Sequence, residues 1–258
     1  MKAKLLFLAL FVTVKCLASH GDWNGKRVAF LGDSITDARH IGCTSNYWNF
    51  LERDLGIVPL VYGRSGHKWK DVKDQAEQLV AEHPDGIDAI FVFAGTNDYK
   101  ADVPLGEWFD IEDAKVDGGK GEVAVKHRVF NLDDATFRGR INVVMKILKD
   151  KYPNLDIFLL TPIHRGYATF GQKNIQPEES YSNGLGLFID DYVVAVKEAG
   201  NVWAVPVIDL NAESGLFPLF KSHAQFFSNA ERDMLHPNNA GHERIEKAIL
   251  RRIDRDLP

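Results

Sequence analysis

Apolar residues follow two rhythms along this chain: short unbroken runs alternate with longer stretches in which an apolar position recurs every three or four residues. The runs Arg27 to Leu31, Val58 to Tyr62, Ala89 to Ala94, Asp156 to Thr161 and Val202 to Leu210 predict five buried strands. Pro206 interrupts the last of them, and a residue without an N–H belongs at a sheet edge. Between the runs, Val72, Ala76, Leu79 and Val80 form one helical stripe, and Ile141, Val144, Met145 and Leu148 a second. Phe188, Ile189, Tyr192, Val193 and Val196 form a third, and Ile245, Ala248 and Ile249 a fourth. Such stripes are core faces. Strand and helix in alternation is the pattern of βαβ units, so the expected class is α/β with a parallel sheet. The last helix is expected to start at Asn238 or Asn239, either of which can cap it.

Two segments break the rhythm. Residues 102–133 hold Trp108, Phe109 and the turn-forming run Asp117-Gly118-Gly119-Lys120-Gly121, the signature of an inserted hairpin. Because it follows Asn97 directly, this insertion is expected to fold over the site and wall the substrate cleft. Its glycines lack the Gly-Lys-[Ser/Thr] of a phosphate loop. The second segment, His164 to Asn183, carries Arg165, Tyr167, Phe170 and Tyr181 after the fourth strand, where specificity residues gather. His67, Trp69, Tyr99 and His164 are the candidate walls of a substrate pocket.

Candidate chemistry sits at the strand ends. The first strand stops at Gly32-Asp33-Ser34-Ile35-Thr36, which places a hydroxyl outside the carboxyl edge of the sheet, where open α/β folds bind ligands. A serine becomes a nucleophile when an imidazole takes its proton and a carboxylate fixes the imidazole. Asp233-Met234-Leu235-His236 offers both groups three residues apart, on the turn and loop feeding the last helix. Acyl transfer also needs donors aimed at an oxyanion. Gly63-Arg64-Ser65-Gly66 and Gly95-Thr96-Asn97-Asp98 follow the second and third strands, so the amides of Ser34 and Gly66 and the side chain of Asn97 face one edge.

These four blocks, in this order and spread over most of the chain, resemble those of the SGNH, or GDSL, hydrolase family of serine esterases and lipases. The resemblance implies a three-layer, flavodoxin-like α/β/α fold with a five-stranded parallel sheet. It also implies an ester-hydrolysing serine. One departure stands out: Val61-Tyr62 occupy the place before the glycine block where the family often has asparagine. The elbow Gly-x-Ser-x-Gly of the α/β-hydrolases is absent, since Thr36 stands at its second glycine.

Composition narrows the rest. The 258 residues, 45% hydrophobic and 26% charged, suit one domain over 19–258. A net charge of -5 without a Lys/Arg-rich block gives no support to a nucleic-acid partner. Lys2 and Lys4 before the apolar run Leu5 to Val14, with small residues at Cys16-Leu17-Ala18, predict a signal peptide over 1–18 and a secreted or periplasmic enzyme without integral membrane association. Cys43 would be left as the sole cysteine, and no cofactor or metal is implied. His236 and His242 stand at a spacing that invites zinc, but His236 is better used as a base. The expected activity is O-deacetylation of a carbohydrate or glycan. The alternatives are a lysophospholipase or thioesterase of the same fold, and a catalytically silent glycan-binding module.

Overall fold

The computed structural model describes residues 23–253. The segment expected as a signal peptide lies outside the described residues. In chain order the elements are β1 (Arg27–Gly32), α1 (Tyr47–Leu55), β2 (Val58–Val61), α2 (Trp69–Glu82), β3 (Ala89–Phe93), α3 (Thr96–Lys100), β4 (Phe109–Asp117) and β5 (Glu122–Phe130). There follow α4 (Phe137–Lys151), β6 (Asp156–Leu160), β7 (Ala168–Thr169), β8 (Ile175–Gln176), α5 (Ile189–Trp203), β9 (Val207–Ile208) and α6 (Leu210–Glu213). A 3-10 turn over Lys221–Phe226, β10 (Phe227–Asn229), β11 (Asp233–Pro237) and α7 (Asn239–Ile253) complete it.

The central sheet is parallel throughout, in the order β2-β1-β3-β6-β9, which is the doubly wound arrangement expected. Strand residues alternate between its two faces. Ala29, Leu31, Ile90, Val92, Ile157 and Leu159 pack with α2, α4 and α5. Val28, Phe30, Phe91, Phe93, Phe158 and Leu160 pack with α1, α6 and α7. On that second face Phe30, Phe91 and Phe158 stack across three strands at 5.5 and 4.8 Å, so β1, β3 and β6 are held by side chains as well as by the ladder.

The fifth strand is shorter than the apolar run suggested. Val202 and Trp203 finish α5, Ala204 closes it in the left-handed conformation, and only Val207–Ile208 pair with β6. A helix end and a strand that are both apolar and separated by three residues form one run, and periodicity cannot divide them. The edge position suggested by Pro206 is observed. Phe188 is no part of the third stripe: it caps α5 and is exposed.

A four-stranded antiparallel sheet, β10-β11-β7-β8, has no counterpart in the apolar pattern of the sequence. It ties Asp233–Pro237 into a strand, where a loop was expected, and straps β7 and β8 beside it through Asp233↔Ala168. Residues 109–130 form the inserted hairpin β4–β5. Its root packs on the helix layer: Phe130 stacks on Trp203 at 4.4 Å, and Asn142 Nδ2 donates to the carbonyls of Trp108 and Asn131. The root of the hairpin thus packs against α4 and α5. No helix among the described residues is long and apolar enough to cross a membrane.

Candidate active site

Three turns at the carboxyl ends of β1, β2 and β3 are fastened together by hydrogen bonds. Gln75, from α2, ends β1: its Oε1 accepts from Gly32 N and its Nε2 donates to Gly32 O, both at 2.8 Å. That pairing replaces a ladder partner and throws Asp33-Ser34 out of the sheet. Asp37 accepts the amide of Ser65 at 2.7 Å, tying the turn after β1 to the one after β2. Asn97 Nδ2 donates to His67 O at 3.0 Å, tying the turn after β2 to the one after β3. Gly66 adopts φ +84, in the left-handed region that favours glycine. Among the described residues the amides of Ser34 and Gly66 have no protein acceptor.

The C-terminal strand brings the remaining groups. His236 Nδ1 lies 2.9 Å from Asp233 Oδ2, and His236 Nε2 lies 2.9 Å from Ser34 Oγ. Since the carboxylate only accepts, Nδ1 carries the proton and Nε2 presents its lone pair to the hydroxyl. Asp233 is itself fixed, because its Oδ1 accepts the amides of Leu235 and His236. All three side chains are nearly buried, with Ser34 and His236 each 5% exposed. Gly42 packs so closely that a Cβ there would meet His236 Cβ at 3.0 Å, and Phe170 lies over the imidazole at 5.3 Å.

The surrounding charges are arranged around buried polar groups. Burial pushes the Asp33 carboxyl up to about 7, against the pull of the Ile35 amide and of His236. Burial raises Asp37 too, but its bonds from Arg39 and Ser65 outweigh this and hold it below the usual carboxylate range. Asp98 is fully buried, accepts the Trp69 amide and pairs with Arg140 at 2.8 Å, so it joins α2, α3 and α4 behind Asn97. Arg165 spans from Thr96 to Gln176 Oε1, with its guanidinium 5.1 Å from the Tyr99 ring centroid, and burial draws it down to about 10.

The four candidate pocket residues part company. His67 is half-buried, with Nδ1 accepting from Gln75, and lines an open groove beside the site. His164 is half-buried against Phe217; burial lowers its pKa, but the bond to Glu179 prevails and raises it. Trp69 and Tyr99 are not pocket walls. Trp69 is 0% exposed and Tyr99 4%, both belong to the core, and Tyr99 spends its hydroxyl on the carbonyl of Tyr181. An aromatic just past a strand end serves core and cleft alike in sequence terms. His242 is core as well, with Nδ1 accepting the Tyr47 amide.

Residues 30–244 match the family model for the GDSL-like lipase/acylhydrolase family. The chain belongs to that family. Among solved structures, a protein from Lactobacillus plantarum superposes on this GDSL-like hydrolase with a TM-score of 0.70 at 29% identity, over 91% of this chain and 99% of that one. A single-residue variant of Axe2, an acetyl xylan esterase from Geobacillus stearothermophilus, gives 0.53 at 20% identity over 91% and 97%. The lipase/acylhydrolase from Enterococcus faecalis gives 0.54 at 17% over 90% and 97%, a likeness of fold. Among curated proteins none matches the chain. The family assignment makes this protein an ester hydrolase in general terms.

Proposed function

We propose that this GDSL-like hydrolase is a secreted serine esterase that removes short acyl groups, acetyl first among them, from carbohydrate or glycan alcohols. The observation that carries the reading is the unbroken chain Asp233–His236–Ser34, both links at 2.9 Å. Ser34 Oγ attacks the ester carbonyl as His236 Nε2 takes its proton, and Asp233 stabilises the imidazolium. The Ser34 and Gly66 amides and the second N–H of Asn97 receive the oxyanion. Collapse expels the alcohol, protonated by His236. Water then attacks the acyl-enzyme, gives its proton to the same imidazole and releases the acid, restoring Ser34.

Phe170, exposed and with its ring 5.3 Å from that of His236, offers an apolar contact for a short acyl group. The acetyl xylan esterase neighbour makes an acetylated glycan the first natural substrate to try. Secretion is supported by the charged and apolar N-terminus. Hydrolysis of p-nitrophenyl acetate and octanoate by wild type and by Ser34→Ala tests the reading. Acetate cleavage that exceeds octanoate cleavage and vanishes in Ser34→Ala is expected. A preference for octanoate would favour the lipase-type alternative, and equal rates in the variant would remove Ser34 from the chemistry.

A further inference from the structure

A groove of about 810 Å³ lies not over Ser34 but beside it, along the free edge of β2. Its upper end is formed by Ser65 and His67, which bracket Gly66, and by Asp37 and Arg39, which follow Ser34 in the same loop. From there it runs down β2 to Glu82 and His83 at the end of α2. A volume of this order suits a ligand of several rings.

The groove is walled by residues hydrogen-bonded to the turns that carry the oxyanion donors. Asp37 accepts the Ser65 amide at 2.7 Å, and the carbonyl of His67 holds Asn97. Its upper end is therefore one loop away from the oxyanion donors, with Ser65 and His67 on either side of Gly66. The two cations on its rim differ: Arg39 is spent on Asp37 through Nε and Nη2, whereas Arg64 is exposed and has no ion pair among the described residues. Its backbone is fixed by Arg64 N donating to Gly32 O at 3.1 Å, so a free guanidinium stands on a rigid base. The lining is rich in hydrogen-bonding groups of both kinds, and its apolar members Leu60 and Val61 are committed to the two cores. Polar groups outweigh these apolar members along the walls, which suits a hydroxylated ligand better than a fatty chain. A peptide strand is also disfavoured, since Pro59 has no N–H to continue a ladder along β2.

We propose that the β2-edge groove is the subsite for the alcohol part of the substrate, a polyhydroxylated chain of several sugar units, and that Arg64 is its specificity-determining residue. This rests on the esterase reading above. The acyl group then lies by Phe170, whose ring stands 5.3 Å from that of His236.

The test compares p-nitrophenyl acetate, which lacks a sugar chain, with O-acetylated xylose and its acetylated oligomers up to the tetrasaccharide. In the wild type, kcat/KM is expected to rise with sugar number. In Arg64→Ala, KM for the tetrasaccharide is expected to rise about tenfold, the factor for one lost charged hydrogen bond, with p-nitrophenyl acetate unaffected. His83→Ala, at the far end, is expected to act on the longest oligomers alone. Wild-type enzyme that cleaves p-nitrophenyl acetate yet gains nothing from added sugars overturns the groove assignment and leaves the esterase reading standing. So does an Arg64→Ala variant impaired equally on all substrates. Wild-type enzyme inert toward every ester overturns both.

Discussion

One nitrogen of Arg165 reaches both the carbonyl and the hydroxyl of Thr96, at 3.1 and 3.0 Å, and so grips the residue immediately before Asn97. A buried cation in that place holds a turn, not a substrate. Replacing it by methionine strips partners from Thr96 and Gln176, at roughly 1–3 kcal/mol for each acceptor left bare. Arg165→Met is expected to lower the denaturant midpoint and kcat together, with Arg165→Lys recovering part of both. Urea titrations alongside turnover numbers check this. Loss of stability with unchanged kcat would detach Arg165 from the Asn97 turn.

Asn97 itself is half-buried, and one of its amide protons is engaged by His67 O. The other is free for developing charge. Asn97→Ala is expected to lower kcat by about a hundredfold to a thousandfold, as the loss of one oxyanion donor does elsewhere. Steady-state kinetics on p-nitrophenyl acetate decide the matter, and a variant as fast as wild type would end that role.

Gly42 sits at φ +81, where a Cβ would meet Ser228 Cβ at 2.8 Å and His236 Cβ at 3.0 Å. Gly42→Ala must push His236 or its own loop aside. A displacement of about 1 Å in a catalytic group reduces rate by about a hundredfold, so a drop in kcat of that order at near-constant KM is expected. A structure of the variant with the Ser34–His236 bond intact and normal turnover would refute the coupling.

Asp33 gives the enzyme a pH-dependent stability. Its native pKa is raised from the ordinary 3.8 to about 7, so its contribution is fully present below 3.8 and is lost as pH climbs through about 7. Melting temperature is expected to fall across that window as the carboxyl is forced to ionise inside the protein. Asp33→Asn, which keeps an oxygen for the Ile35 amide, should flatten the fall. Glu246, also pushed up to about 7 by burial, leaves a residual slope. Melting curves over the range, with an unaltered slope in the variant, would rule Asp33 out.

The β4–β5 hairpin is fastened to α4 and α5 through Asn142 and Trp203. Shortening it by removing Glu112 to His127, with Phe109 and Phe130 retained, is expected to leave kcat/KM on p-nitrophenyl acetate unchanged. A large loss would show that its outer half reaches the cleft after all.

The parts legible in the sequence were those governed by local rules. Strand cores such as Ala89–Phe93 are unbroken apolar runs, and Ser34, Gly66 and Asn97 each follow one, so their common edge could be read directly. What escaped depends on tertiary pairing. Strands of two residues, like Ala168–Thr169, carry no periodic signal, and without them the strand setting of Asp233 and His236 was invisible. Arg165 looked like one polar residue in an irregular loop, and only its partners reveal it. Trp69 and Tyr99 were misplaced because large amphipathic rings serve interiors and clefts equally.

In the proposed mechanism the proton acceptor stands 202 positions after the hydroxyl that it serves. A growing or C-terminally clipped polypeptide therefore holds its reactive oxygen unaccompanied, as an ordinary alcohol. Competence arrives only when the tail has docked, so the first detectable turnover doubles as a report that the whole polypeptide has closed.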